Sequence, residues 1–137
     1  MTAPALALRA AIRARCLPDP ALAAAMGGLA RLDDEPPRGT APVYAVFGDG
    51  RVRDWSTGSD RGHEHEATIV VWGRPGSAAS ALAAAGRLAE LLDGAPLAPA
   101  GHRLVNIAVT ALETGRERGS GLARATLRLR AVTEVAS

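Results

Sequence analysis

Lysine is absent from this chain of 137 residues, and all 16 of its basic residues are arginine. A phosphate-binding loop that ends in a lysine is therefore excluded. The arginines are scattered and 14 acidic residues nearly balance them, so the sequence lacks the concentrated basic block that is typical of a nucleic-acid surface. A DNA-binding module, whose affinity would fall steeply with salt, stays open as an alternative.

Cysteine, aromatic residues and long hydrophobic runs are also scarce. The single cysteine, Cys16, excludes an internal disulfide and fits a reducing, cytoplasmic origin. With only four aromatic residues, the core must be built from Leu, Val and Ile, with alanine allowing close helix packing. No run is long enough for a membrane span, and the N-terminus lacks the continuous hydrophobic stretch of a signal peptide. The length predicts a single domain, residues 1–137.

The hydrophobic periodicity predicts two helices, two strands, a third helix and a final pair of strands. The first two helices end at Cys16 and at Gly27-Gly28, and the third runs from Ser77 to about Asp93. The predicted strands are Val43–Phe47, His65–Trp72, Arg103 to about Glu113, and Leu122 to about Glu134. This order predicts an α+β fold, in which an antiparallel β-sheet of about four or five strands has its helices packed on one face.

Several details of these elements can be tested against a structure. Residues 33–42 form a polar, proline-rich loop, and Gly48-Asp49-Gly50 indicates a turn or a bulge. The buried stripe of the third helix is predicted from its apolar spacing to contain Leu82, Ala85, Leu88, Ala89 and Leu92. In the strand after it, Val105, Ile107, Val109 and Ala111 are predicted to share one face, and in the last strand Ala125, Leu127, Leu129 and Ala131 do so.

Catalytic chemistry finds little support in the sequence. His63 and His65 point to the same side of a strand and could bind a metal with His102 as a third ligand, but no HExxH helix or cysteine ligand accompanies them. Cys16 lies on an apolar helix face, where it would be inert. Glu64 and Glu66 are expected to face solvent or a neighbouring subunit. We therefore expect no enzyme activity.

Interface chemistry has better candidates, in three places. Trp55 follows Arg53 and Asp54 in a polar segment, and Trp and Arg are favoured interface anchors. Arg116 and Arg118 lie at the tip of the predicted hairpin, and the last strand presents an arginine face. The residues of that face are Arg124, Arg128 and Arg130. The alternatives are that Trp55 folds back over its own sheet and that the arginines are simply solvated.

Five segments together resemble the tail-completion, or tail-terminator, proteins of long-tailed phages and gene transfer agents. The segments are ALRAAIRARCLPDPALAAAMGG, DDEPP, RDWSTGSDRGHEHEATIVVWGRPG, LLDGAPLAPAGHRLVNIAV and GLARATLRLRAVTE. Each is short, but their order and spacing cover nearly the whole chain. The Gly48-Asp49-Gly50 turn and the proline-dense early loop depart from the family pattern.

The resemblance implies a structural virion protein. Such proteins form a homo-oligomeric ring, typically a hexamer, at the head-proximal end of the tail tube of a phage-like particle made in the bacterial cytoplasm. The ring stops tube polymerisation and provides the surface for head–tail joining. Its implied partners are the tail tube protein and a head-neck connector or head-closure protein, and DNA passes through the lumen without sequence-specific binding. No cofactor, membrane or catalytic residue is implied.

Two other functions stay open on the sequence alone. The first is another neck or tail component of the same particle, such as a head-closure or tube protein. The second is a small metal-binding enzyme domain that uses His63, His65 and His102.

Overall fold

The computed structural model describes residues 3–39 and 43–136, which form three helices and six strands. The helices are α1 (Pro4–Cys16), α2 (Pro20–Ala25) and α3 (Ala78–Leu92). The strands are β1 (Leu32–Asp33), β2 (Tyr44–Phe47), β3 (Arg51–Asp54), β4 (Gly62–Trp72), β5 (His102–Arg116) and β6 (Ala123–Val135). The short strands β1 and β3 are additions to the predicted order. Residues 40–42 of the predicted proline-rich loop lie outside the described residues.

The six strands form one open sheet in the order β1-β2-β4-β6-β5, and β3 pairs with β4 on the same side as β2. Every pair is antiparallel except β1 with β2. The helices cover one face of this sheet, where the core residues of α1 and α3 meet those of β4 and β6. The predicted α+β class, with an antiparallel sheet and helices on one face, is confirmed.

A bulge at Gly48-Asp49-Gly50 joins β2 and β3 into one bent strand along β4. Phe47 lies opposite Ile69 and Arg51 lies opposite Glu66, so three residues of this strand face two of β4. The Gly48 amide donates a hydrogen bond of 2.9 Å to the Thr68 carbonyl. A Cβ at Gly48 would lie 2.6 Å from Thr68 Oγ1, which explains why glycine is needed there.

The core follows the predicted alternation in β6 but not the predicted stripe of α3. Ala125, Leu127, Leu129 and Ala131 are all buried beneath the helices, as predicted. The buried stripe of α3 is instead formed by Ala81, Ala84, Ala85, Leu88, Leu91 and Leu92. Leu82 is 42% exposed, so its predicted place in the core is wrong. Adjacent residues are about 100° apart around a helix. Because the buried stripe passes through Ala81, the next residue, Leu82, lies outside it.

Two irregularities in β5 change the face that its residues occupy. They fall between Leu104 and Asn106 and between Val109 and Ala111. Ile107 and Val109 lie opposite Ala131 and Leu129 on the helix side, whereas Ala111 lies opposite Arg128 on the other side. Strict alternation from Val105 to Ala111 was therefore a wrong prediction, because each bulge shifts the side-chain alternation by one residue.

Asp19 ties α2 to α3. Its carboxylate accepts the capping hydrogen bond from the Leu22 amide at 2.8 Å and two hydrogen bonds of 2.8 Å from the Arg87 guanidinium. The hydrogen bond from Arg87 is the main reason that the pKa of Asp19 is lowered to about 2. Within residues 3–39 and 43–136, no helix has the length and hydrophobicity needed to cross a membrane.

Candidate assembly interface

The loop that carries Trp55 is held in place by its own hydrogen bonds. β3 ends at Asp54, and the Trp55 amide continues the pairing by donating to the Gly62 carbonyl at 2.9 Å. Asp54 Oδ1 accepts hydrogen bonds from the Ser56 hydroxyl at 2.6 Å and from the Ser56 amide at 3.3 Å. The hydroxyl bond is the main cause of the lowered pKa of Asp54. Asp54 therefore shapes the loop and also presents a negative charge at the sheet edge.

Glu64 is the centre of the site and lies on the sheet face that carries no helix. The residue is only 3% exposed, because Arg53 and Arg130 close over its two carboxylate oxygens. Arg53 Nε donates to Oε1 at 2.5 Å, and Arg130 Nε donates to Oε2 at 2.8 Å. The hydrogen bond from Arg53, followed by that from Arg130, lowers the pKa of Glu64 against the opposing effect of burial.

Trp55 stacks on both of these arginines. The Arg53 and Arg130 Cζ atoms each lie 5.4 Å from a ring centroid of Trp55, which is within cation–π range. The side chain remains 46% exposed. Trp55 thus folds back over its own sheet and still offers an aromatic surface. We call Arg53, Trp55, Glu64 and Arg130 the Glu64 cluster.

The structure brings together only some of the predicted interface residues. Arg53, Trp55 and Arg130 meet in the Glu64 cluster, with Asp54 beside them. Arg128 and Arg124 lie farther along the same face of β6, opposite Thr68 and Trp72, and Arg128 forms an ion pair with Glu113. Arg116 and Arg118 lie at the hairpin tip, where Arg116 Nη1 donates to the Gly121 carbonyl at 3.1 Å. Arg124, Arg128 and Arg130 therefore share the face without helices, whereas Arg116 lies opposite Ala123 at the end of β5 and Arg118 lies in the hairpin turn.

Glu64 is the residue whose role the sequence did not reveal. Strand alternation places Glu64 and Glu66 on one face, and the exposed Glu66 agrees with the predicted contact with solvent. Glu64 is buried, so the same prediction is wrong for it. The cause is the pairing of β4 with both β3 and β6, which places Arg53 and Arg130 on its two sides. The spacing of residues along the sequence does not indicate which residues of neighbouring strands lie opposite each other.

An open cleft lies beside the Glu64 cluster, along the bulge between β2 and β3. Its volume is about 450 Å³, and its lining includes Asp49, Arg51, Glu66, Thr68, Arg128 and Arg130. Arg51 binds Glu66 at 3.0 Å, so the charges of the lining are partly neutralised in place. The lining holds no cysteine or histidine to act as nucleophile or base. This composition suits polar recognition of a partner surface.

The three histidines do not assemble a metal site. His63 and His65 lie on the helix side of β4, as the alternation predicts, and the rings of His63 and His102 meet edge to face at 6.1 Å. His65 is buried and shares a 2.9 Å hydrogen bond with Thr133 Oγ1. Burial lowers its pKa to about 4. Across the described residues, no three His, Cys, Asp or Glu side chains are arranged to hold a metal ion.

Cys16 lies in the core, as predicted. It is fully buried against the other helices, and burial raises the pKa of its thiol to about 12. A thiol in this environment is a packing residue, not a nucleophile.

Similarity to known proteins extends over almost the whole chain. The family model described as "Tail completion protein gp17" matches residues 10–134. A chain from the solved "Virion of native gene transfer agent (GTA) particle" is 32% identical, with a TM-score of 0.85 over 98% of this chain and 99% of that one. A second solved chain is 18% identical with a TM-score of 0.49, over 99% of this chain and 98% of its own. No curated protein matches significantly. This chain belongs to the tail completion protein gp17 family.

Proposed function

We propose that this protein forms a ring at the head-proximal end of the tail tube of a phage-like particle. The ring stops polymerisation of the tube and provides the surface on which the neck proteins of the head dock. Its partners are further copies of itself, the tail tube protein and a head-neck connector or head-closure protein. DNA passes through its lumen without sequence-specific contacts. Six copies per ring is the number that the family resemblance implies.

One observation carries this proposal. The chain matches a protein of a gene transfer agent virion along 98% of its length at 32% identity, and its family is described by the completion of tails. Family membership makes a structural protein of a phage-like tail the simplest function. The finer role, at the end of the tube, follows from what completion requires, because a polymer stops growing when its last layer is covered by a different protein.

The architecture supports the proposal physically. The sheet is open, so each of its sides can accept a neighbour, and a ring needs two different contact patches on each subunit. The exposed sheet face carries a cluster of arginine and tryptophan, which are typical interface residues.

Deletion of the gene, followed by electron microscopy of the particles, tests the proposal. We expect overlong tails without heads beside heads without tails, and restoration of normal particles by the wild-type gene. Loss of a tube protein would instead abolish tails, and loss of a head-closure protein would leave tails of normal length that fail to join. Normal particles in the deletion strain would contradict the proposal.

A further inference from the structure

The two sides of the sheet differ in how their edges are protected. β5 is the last strand on one side, and its middle is covered: the Val109 amide donates to Asp93 Oδ1 and the Gly94 amide donates to the Ile107 carbonyl, both at 2.9 Å. The second half of β5, residues 110–116, continues beyond this cover. Covering by a neighbouring segment is one of the ways in which an edge strand is protected against pairing with other chains. Their absence over residues 110–116 leaves an edge that can accept a partner.

The opposite side of the sheet also ends in an available strand. β1 covers β2, but β3 pairs only with β4 among the described strands. All four residues of β3 are exposed. β3 runs antiparallel to β4, and β5 runs antiparallel to β6, so β3 and β5 of one subunit run in opposite directions. In a ring whose axis lies roughly along the strands, β3 of one copy and β5 of the next are therefore antiparallel.

Four of the seven large hydrophobic side chains that are exposed among the described residues lie at these two edges. Val52 and Trp55 are 38% and 46% exposed on the β3 side. Leu112 and Leu82 are 43% and 42% exposed on the other side. Leu82 borders a hollow of about 260 Å³ formed with Thr114, Gly115 and Arg116 of the hairpin. Large side chains left in water at two opposite edges are expected where those edges become covered by neighbours.

The charges of the two edges are complementary. Within residues 3–39 and 43–136, three aspartates near β3 and three arginines of the hairpin form no ion pair. The aspartates are Asp49, Asp54 and Asp60, and the arginines are Arg116, Arg118 and Arg124. Three further residues of opposite sign on these edges, Arg51, Arg53 and Glu113, are already held in ion pairs within the subunit. Among the same described residues, Arg61 and Glu117 form no ion pair and are outnumbered by the unpaired charges of the other sign on their edges. Opposite potentials on two patches steer their association and suppress contacts between like patches.

We infer that the β3 edge of one subunit, residues 49–60, binds the hairpin edge of the next copy, residues 110–118 with Leu82. This inference rests on the proposed ring and identifies its subunit contact. The contact is heterologous: each copy uses both edges and neither edge binds itself. Within one subunit, β3 lies level with the first half of β5. Its partner in the next copy is the second half of β5, so neighbouring subunits are displaced relative to one another along the strands. A closed ring accommodates this stagger by tilting its strands relative to the axis.

Paired cysteines in assembled particles test the contact. Val52→Cys is combined, in one chain, with Thr110→Cys, Leu112→Cys or Thr114→Cys, all of which are exposed positions. Particles are oxidised mildly, free thiols are blocked before denaturation, and the protein is examined on a non-reducing gel. We expect at least one pair to give a series of covalent oligomers from dimers upwards, and the most efficient pair reports the register.

The controls distinguish a heterologous contact from a symmetric one. The wild-type chain has only the buried Cys16 and is expected to stay monomeric on the gel. Each single cysteine variant is also expected to stay monomeric, because like edges do not meet. Leu29→Cys combined with Leu112→Cys places one cysteine at an exposed site on neither edge and is expected to give no series.

Two results would overturn the inference. One is the absence of cross-linked oligomers for all three pairs in particles that contain the protein, and the other is efficient dimer formation by a single cysteine variant. The outcome is separable from that of the gene deletion. Cross-linked oligomers together with normal particles in the deletion strain would uphold the contact and reject the terminator role. Overlong, headless tails in the deletion strain without any cross-linked oligomers would reject the contact alone.

Discussion

Glu64 is buried between the guanidinium groups of Arg53 and Arg130. Among the described residues, neither arginine forms an ion pair with another carboxylate. Pairing two charges away from water contributes little net stability, because the cost of desolvation offsets much of the attraction. The effect of such a pair is mainly on geometry. Here it fixes Arg53 and Arg130 at the distance that allows both to stack on Trp55. The exposed tryptophan is thus held in one orientation before any partner binds.

We predict that Glu64→Gln loosens the loop at Trp55. A neutral amide cannot compensate two guanidinium charges, so Arg53 and Arg130 separate and the indole moves into water. In a Trp72→Phe background, the fluorescence of Trp55 should shift to longer wavelength, and proteases should cleave the loop at residues 55–61 more readily. Glu66→Gln is the matched control, because Glu66 is exposed and paired with Arg51 alone. Equal effects of the two substitutions would contradict this view of Glu64.

At the residue scale, the sequence was informative about residue type and uninformative about neighbours. Trp55, Arg53 and Arg130 were identified as interface candidates because an exposed tryptophan is costly and because tryptophan and arginine are favoured interface anchors. Their common partner Glu64 was expected to face solvent or a neighbouring subunit. Its burial depends on the pairing of β4 with β6, which brings together residues 66 positions apart along the chain. Their role as a subunit interface stays a prediction.

The bulge between β2 and β3 is the element on which the site depends. It inserts one extra residue between β2 and β3. β3 therefore pairs with the N-terminal part of β4, where Arg53 reaches Glu64. The sequence Gly48-Asp49-Gly50 indicated a turn or a bulge, but β3 was not predicted. Four exposed residues with a single hydrophobic side chain carry too little alternation to identify a strand.

We predict that Gly48→Ala destabilises the fold by about 1–3 kcal/mol, as is typical of an overpacked site. The added Cβ would lie 2.6 Å from Thr68 Oγ1, which itself donates a 2.7 Å hydrogen bond to the Asp49 carbonyl. The free energy of unfolding, measured with urea and circular dichroism, checks this value. Gly58→Ala is the control, because nothing lies within 4 Å of its added Cβ, and we expect a change within about 0.5 kcal/mol. Similar effects at both positions would show that crowding at the bulge is unimportant.

Long elements with strong periodicity were predictable, and irregular ones were not. β6 shows the predicted alternation because it pairs on both sides without interruption. β5 has bulges at two places, and α3 turns its stripe away from Leu82. In both cases tertiary packing selects one of several faces that the sequence allows. The faces of an alanine-rich helix such as α3 differ little in hydrophobicity, so its sequence does not identify the buried face.

At the scale of the whole molecule, composition and element order were sufficient for the α+β class and for helices on one face of the sheet. The strand order, with β6 between β4 and β5, required the structure. This order leaves β3 and β5 at opposite sides, where four of the seven exposed large hydrophobic side chains of the described residues also lie. In the ring that we propose, each subunit contributes these two different edges, as a heterologous contact requires.

A cryo-electron microscopy reconstruction of the neck of the particle, at a resolution that shows secondary structure, tests the central claim most directly. We predict a ring of copies of this fold between the last layer of the tail tube and the head connector. In that ring the β3 edge of each copy lies against residues 110–116 of its neighbour. If the fold lies elsewhere in the particle, or is absent from it, the assignment to the end of the tail tube is wrong.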